Sequence, residues 1–187
     1  IHTQEDLEQI GTLGFRGEAL ASIAAVSRVE MLTCLQGEIA GTRYVIAGGE
    51  EQAYEEAGCP PGTTIVVRDL FYNTPARMKF LKSDMTEAKA VAGVLDHIAL
   101  SHPEISIRFL KDGKEELHTP GDNRLKSAIY AVYGKEFTAG LLPVQYELDH
   151  ITVQGFVSKP SAARPNRSMQ MFFINGRCVK GRTAAAA

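Results

Sequence analysis

Apolar positions along the chain switch between helical and alternating spacing, and the switches mark out its elements. Gln4 to Ile10 has the pattern of a short helix. A glycine-flexed loop then leads into Gly17 to Val26, alanine-rich and free of proline, which predicts a helix. Arg28 to Leu35 (RVEMLTCL) alternates and is rich in strand formers; Ile39 to Ala47 is its hairpin partner, with Gly37 near the turn. Glu50 to Pro61 is acidic, ends in Cys-Pro-Pro-Gly and predicts a loop. Thr63 to Arg68 (TTIVVR) has the β-branched density of a buried strand. Asp69 to Pro75 predicts an irregular turn, with Thr74 as N-cap and Pro75 as first residue of a short helix running towards Leu81.

In the second half, Asp84 with Glu87 three residues on resembles a capping box, and Val91, Val94, Leu95 and Ile98 fall on one helical face. His102-Pro103 ends that helix. Ile105, Ile107 and Phe109 alternate with polar residues, and Asp112-Gly113 turns the strand back into Glu115 to Thr119. Pro120-Gly121-Asp122-Asn123 is the best linker in the chain, which divides it into residues 1–120 and 121–183. Arg124 to Tyr133 is helical, with Leu125, Ile129 and Val132 on one face and Gly134 as the stop. Leu141 to Leu148 pairs with Ile151 to Ser158 about Asp149-His150, and Met169 to Ile174 meets Arg177 to Lys180 across Asn175-Gly176. The fold class is therefore α+β with antiparallel hairpins, and the alanine tail 184–187 is excluded from it.

Composition adds bounds. A chain of 187 residues, 44% apolar and with a net charge of −2, suits a soluble globular protein with one large core or two modest ones. The longest uncharged apolar run, Ala19 to Ser27, is too short to span a bilayer. The three cysteines, Cys34, Cys59 and Cys178, are scattered and odd in number, which suits reduced thiols and argues against a disulfide framework. Neither they nor the five dispersed histidines have metal-ligand spacing. Charge is uneven: six of the 20 basic residues, Lys159, Arg164, Arg167, Arg177, Lys180 and Arg182, lie together with no acidic residue among them. That segment is the candidate nucleic-acid surface, the bland alternative being a solvated face.

Candidate chemistry centres on Thr12 to Val26 (TLGFRGEALASIAAV), where Gly14 and Gly17 bracket Phe15 and Arg16 just before a helix. Free backbone N–H groups and the helix dipole favour an anion there, although two glycines before a helix also make a plain loop and cap. A second stretch, Gly62 to Leu81 (GTTIVVRDLFYNTPARMKFL), follows at a distance. Phe71, Tyr72, Phe80 and Leu81 within it read as core, with Arg77, Lys79 and Lys82 as a solvated face.

Together the two stretches resemble the MutL family of DNA mismatch-repair ATPases, a resemblance covering residues 1 to about 182. It implies the C-terminal part of a gyrase/MutL-type α/β sandwich, followed by a second, smaller and incomplete α/β domain. GFRGEAL matches the end of the family's ATP lid, so Arg16, Gly17, Glu18, Ala19 and Leu20 would line the phosphates. Thr63 would face the nucleotide from the last motif. On the residues alone, Arg16 has an alternative as a surface partner of Glu18, and Thr63 as a residue of high strand propensity.

The family's catalytic glutamate, its Mg²⁺-holding asparagine and its DxGxG motif do not occur here, which places them upstream of Ile1. The resemblance therefore implies ATP and Mg²⁺ as cofactors, with the Mg²⁺ ligand outside this chain, and a weak ATPase in the intact protein. The chain alone is expected to bind ATP weakly and not hydrolyse it. Arg177 matches an arginine of the family's NGR motif associated with DNA, with Lys180, Arg164 and Arg167 as neighbours contacting the phosphate backbone without base readout. Implied partners are DNA, a mismatch-recognition protein, a downstream nuclease or helicase, and a second copy on ATP binding, with no membrane. The implied location is the cytoplasm with the nucleoid in a bacterium, or the nucleus in a eukaryote. Two other readings stay open: another gyrase-type ATPase, or a non-catalytic DNA-binding or interaction module.

Overall fold

Four antiparallel strands in the spatial order β3-β2-β1-β4 organise the first half of the chain: β1 Arg28–Cys34, β2 Gly41–Ala47, β3 Glu50–Ala57 and β4 Gly62–Arg68. The computed structural model describes residues 18–149, 151–167 and 169–179. The expected helix at Gln4 to Ile10, the Gly14 loop and the alanine tail lie outside the described residues. The chain divides into two units, residues 1–82 and 83–187.

In the first unit, α1 (Glu18–Ala24) precedes β1, and the one-turn helix α2 (Pro75–Met78) follows β4. The acidic stretch after Gly49 is a strand rather than the expected loop. Gly48 (φ 61°) and Gly49 (φ 89°) take the positive φ values of a tight two-residue turn, which folds β3 onto β2. As an edge strand β3 tolerates its glutamates, whose charges discourage pairing with another chain. β4 is mostly exposed, with Ile65 at 48% and Val67 at 43%, so it is not the buried strand expected from its β-branched residues. The register sorts side chains by face: Val29, Met31, Tyr44, Ile46, Ile65 and Val67 share an apolar side.

The opposite side carries an ion-pair ribbon across all four strands. Arg68 contacts Glu30 at 3.2 Å, Arg43 contacts Glu30 at 2.7 Å, and Arg43 contacts Glu55 at 2.6 Å. The two guanidiniums, Arg43 first and then Arg68, hold the Glu30 carboxyl below its ordinary range. Because the folded value is depressed, this stabilisation is complete above the unfolded carboxylate pKa and is lost as pH falls through the folded one. Thermal melts are therefore expected to show Glu30→Gln less stable than the parent at neutral pH, with the gap narrowing below about pH 4. A gap independent of pH contradicts the pairing.

The second unit contains α3 (Asp84–Ser101), the hairpin β5 (Arg108–Lys111)/β6 (Lys114–His118), α4 (Leu125–Ala139), the hairpin β7 (Leu141–Leu148)/β8 (Ile151–Ser158), a 3₁₀ turn at Pro160–Ala162, and the hairpin β9 (Phe172–Ile174)/β10 (Arg177–Val179). Asp112 (φ 51°) and Gly113 (φ 76°), like Asn175 (φ 48°) and Gly176 (φ 75°), adopt the paired positive φ of the hairpin turns their sequences predict. Gly134 (φ 81°) breaks α4 where a stop was expected, but the helix resumes as far as Ala139.

The core gathers Leu100, Ala128 and Ile129, with Leu125, Val132, Phe137, Phe156 and Phe173 packed around them. On α3 the buried positions are Ala99 and Leu100, while Val91, Val94 and Ile98 are exposed. The helix thus turns a different face inward from the expected apolar stripe. Asp96 comes with that inward side, where burial raises its carboxyl pKa; burial and the Asp96 charge together raise that of Tyr133. Ser83, not Asp84, is the N-cap of α3, and its Oγ lies 2.9 Å from Thr86 Oγ1.

The Pro120–Asn123 stretch runs within the second unit. Thr119 is buried, its N–H donates to the Ile107 carbonyl, and the Asn123 N–H donates to the Pro103 carbonyl at 3.0 Å. A Cβ on Gly121 would stand 2.6 Å from the Ser106 nitrogen, so this turn lies tight against the segment entering β5.

Candidate functional site

The structure joins the ends of the two stretches singled out in the sequence. α1 ends at Ala24, and the loop after β4 folds back onto the residues that follow. The Phe71 N–H donates to the Val26 carbonyl at 2.7 Å, and Asn73 Nδ2 donates to the Ala25 carbonyl at 2.9 Å. Arg28 pairs with Asp69 at 3.2 Å and lies 4.5 Å over the Tyr72 ring. Asp69 (φ 55°) and Phe71 (φ 68°) hold left-handed conformations, strain of about 1–3 kcal/mol each that persists only where surroundings over-determine the backbone. Here the surroundings are those bonds. Phe71 and Tyr72 are half-buried in support of this corner.

Phe80 and Leu81, read as core, are 85% and 43% exposed, because α2 stops after one turn and offers no helical face to hold them. Thr74 sits at the N-cap position of α2 but makes no capping bond; with φ −132° and ψ 68° its Oγ1 is buried without a partner.

Of the expected phosphate-lining residues, Arg16 and Gly17 lie outside the described residues; Glu18, Ala19 and Leu20 are exposed on the first turn of α1. Thr63 faces Thr33 across the β1/β4 ladder, their hydroxyl oxygens 2.9 Å apart, on the same side of the sheet as Ile65 and Val67. Thr33 is five residues beyond Arg28 on β1. At strand rise that is roughly 17 Å, so Thr63 stands at the opposite end of β1 from the Arg28 corner.

Toward a nucleotide, the described residues offer the paired hydroxyls of Thr33 and Thr63 and the exposed first turn of α1. Magnesium fits less well: among the described residues no group of three or more His, Cys, Asp or Glu converges. Two open depressions, of about 530 Å³ at Glu38, Gly41 and Tyr54 and about 480 Å³ at His118, Arg124 and Tyr130, involve neither Thr63 nor the first turn of α1.

The basic segment is arranged around the core of the second unit. Arg164 places its guanidinium 5.8 Å from the Phe137 ring, and Lys159 Nζ donates to the Ala139 carbonyl at 3.3 Å, both at the end of α4. Arg177 starts β10 opposite Ile174, directly after the Asn175-Gly176 turn, and is exposed. Its hairpin shares that core through Phe173. Arg167 is also exposed; Lys180 and Arg182 lie outside the described residues.

A contributor the sequence did not single out is His102, read only as a helix stop. Its ring lies beneath the turn, with Cε1 3.5 Å from where a Cβ on Gly176 would stand, and Nδ1 2.9 Å from Glu104. Nothing local to His102-Pro103 signals that contact, which spans more than 70 residues of sequence.

Among the described residues, no helix is long and apolar enough to cross a membrane. Residues 129–187 match the family model described as DNA mismatch repair protein, C-terminal domain. Over 187 residues the chain is 47% identical to DNA mismatch repair protein MutL of Agathobacter rectalis, covering 100% of this chain and 29% of that protein. It is 48% identical over 186 residues to the MutL of Symbiobacterium thermophilum, again covering 29% of the relative. The chain thus spans less than a third of the length of these curated relatives. Among solved structures, the Aquifex aeolicus MutL ATPase domain complexed with ADP superposes with a TM-score of 0.76 at 29% identity, covering 98% of this chain and 69% of that one.

Proposed function

Because this chain belongs to the MutL family of DNA mismatch-repair proteins, we propose that it supplies two working surfaces of such a protein: part of the wall of an ATP site, and a phosphate-backbone contact for DNA. The observation that carries this reading is similarity over the whole of this chain to a segment of MutL proteins, 29% of the Agathobacter rectalis relative, together with a fold like that of an ATPase domain complexed with ADP. On this reading Arg16 to Leu20 close over the phosphates, Thr63 approaches the nucleotide from β4, and Arg164, Arg167, Arg177 and Lys180 track the DNA backbone. The Arg28–Asp69 and Asn73 contacts couple the lid-end helix to the last motif, so that ordering one favours the other.

In the intact protein, ATP binding orders the lid and brings two copies together. Slow hydrolysis resets that state, and the cycle links a mismatch-recognition protein to a downstream nuclease or helicase. On this reading no residue of this chain is assigned as Mg²⁺ ligand or catalytic glutamate. The test is a hybrid: these residues replace the aligned segment of the Agathobacter rectalis MutL, and the hybrid is expressed in a strain lacking its own MutL. The spontaneous mutation rate is expected to fall to that given by the unaltered relative. A folded, soluble hybrid that leaves the rate unchanged overturns the proposal.

A further inference from the structure

We propose that Cys34 and Cys59 are a modification site, a peroxide-sensitive dithiol that closes reversibly into an intrachain disulfide over the bare backbone of Gly41. Cys34 is the last residue of β1, and Cys59 lies in the connection from β3 to β4. Gly41 begins β2 beside them. A Cβ there would meet the Thr33 carbonyl oxygen and would stand 2.5 Å from Cys59 Sγ and 2.9 Å from Cys34 Cβ, so the two cysteine side chains crowd, with that carbonyl, into the space that this glycine leaves open. Both cysteines are free thiols, Cys34 buried and Cys59 partly exposed.

The different surroundings assign an order. Cys34 Sγ–H points to the Leu35 carbonyl at 3.4 Å and the Glu38 carbonyl at 3.8 Å. Burial first, then the neighbouring Cys59 and the Glu38 charge, raise its pKa and keep it protonated. Cys59 is the accessible thiol and reacts first. Its thiolate attacks one oxygen of hydrogen peroxide, the O–O bond breaks, and hydroxide leaves, taking up a proton to give water. The Cys34 thiol then loses its proton as its sulfur attacks the Cys59 sulfenic sulfur; the S–S bond forms, the S–O bond breaks, and a second water leaves. Two thiols and one peroxide give one disulfide and two waters. A small-molecule thiol reverses the step by exchange.

The bridge would tie the end of β1 to the segment entering β4. Thr33, whose hydroxyl meets that of Thr63, is the residue before Cys34. Oxidation therefore stiffens the corner that presents Thr63. The pairing of the thiols does not depend on the nucleotide or DNA readings.

The experiment uses the full 187-residue chain carrying Cys178→Ser, so that only the pair titrates. After one equivalent of hydrogen peroxide, denaturing thiol titration is expected to fall from two thiols to none and the intact mass by about 2 Da, with dithiothreitol restoring both. Peptide mapping should place the bridge between residues 34 and 59. Gly41→Ala keeps both thiols, but its methyl group meets the Thr33 carbonyl as well as Cys59 Sγ; in variant protein whose circular dichroism and thermal melt match the parent, closure is expected to slow by about tenfold or more. Retention of both thiols, oxidation to sulfinic or sulfonic acid without a bridge, or a bridge only between chains overturns the proposal. So does closure in Gly41→Ala at the parent rate.

Discussion

Affinity of this chain for a non-specific DNA duplex is expected to fall about 100-fold between roughly 50 and 200 mM salt. On the proposed DNA reading, in which Arg164, Arg167, Arg177 and Lys180 would neutralise one phosphate each, log K against log salt is expected to have a slope of about −3.6, because each neutralised phosphate releases most of one counterion. Arg177→Ala is expected to reduce that slope by about 0.9 and to weaken binding similarly on every sequence, since a backbone contact reads no bases. Arg177 is set by a turn whose two central residues both have positive φ and which rests against His102, so its position is fixed by backbone rather than by a long flexible loop. Arg164→Ala removes a charge and also the packing of its side chain on Phe137. Fluorescence anisotropy across the salt series reads both quantities. A slope near zero, or slopes unchanged in both variants, would remove the basic segment from the DNA reading.

Leu100→Ala is expected to lower the unfolding free energy of the second unit by about 2–5 kcal/mol, through lost burial and the cavity left behind. Against the usual total of about 5–15 kcal/mol for a domain, that is a large share. Leu100 is 6% exposed and packs with Ala128 and Ile129, whereas Val94 on the same helix is 58% exposed. Val94→Ala is therefore expected to change stability by no more than about 0.5 kcal/mol. Urea unfolding of both variants at constant m-value decides the matter. The apolar spacing alone ranks them in reverse, since Val94 lies in the periodic stripe and Leu100 does not. A larger loss for Val94→Ala would mean that α3 buries the striped face after all.

Much of the second unit was legible because its turns carry their own instructions. Asp112-Gly113 and Asn175-Gly176 fold hairpins at the expected places, and the Leu125, Ile129, Val132 face of α4 does meet the core. β3 was missed although its signal was present. Gly48-Gly49 is a two-residue hairpin sequence, but four glutamates in the following strand mask the alternation, and only pairing with β2 and the Arg43–Glu55 contact reveal it. Of the candidate site, the two stretches were visible as strings. Their junction was not, because it is made by backbone carbonyls of Ala25 and Val26, which no residue identity advertises.

The sequence by itself determined the α+β class, the family, and most element positions. These follow from the φ/ψ preferences of neighbouring residues and from strings long enough to be specific. Only the tertiary structure decided which side of α3 is buried, that Thr63 meets Thr33, and that Cys34 and Cys59 share the space above Gly41. Each of these depends on residues far apart in sequence being brought to within a few ångströms, and helical or strand periodicity states only that a face will be covered, not which neighbour covers it.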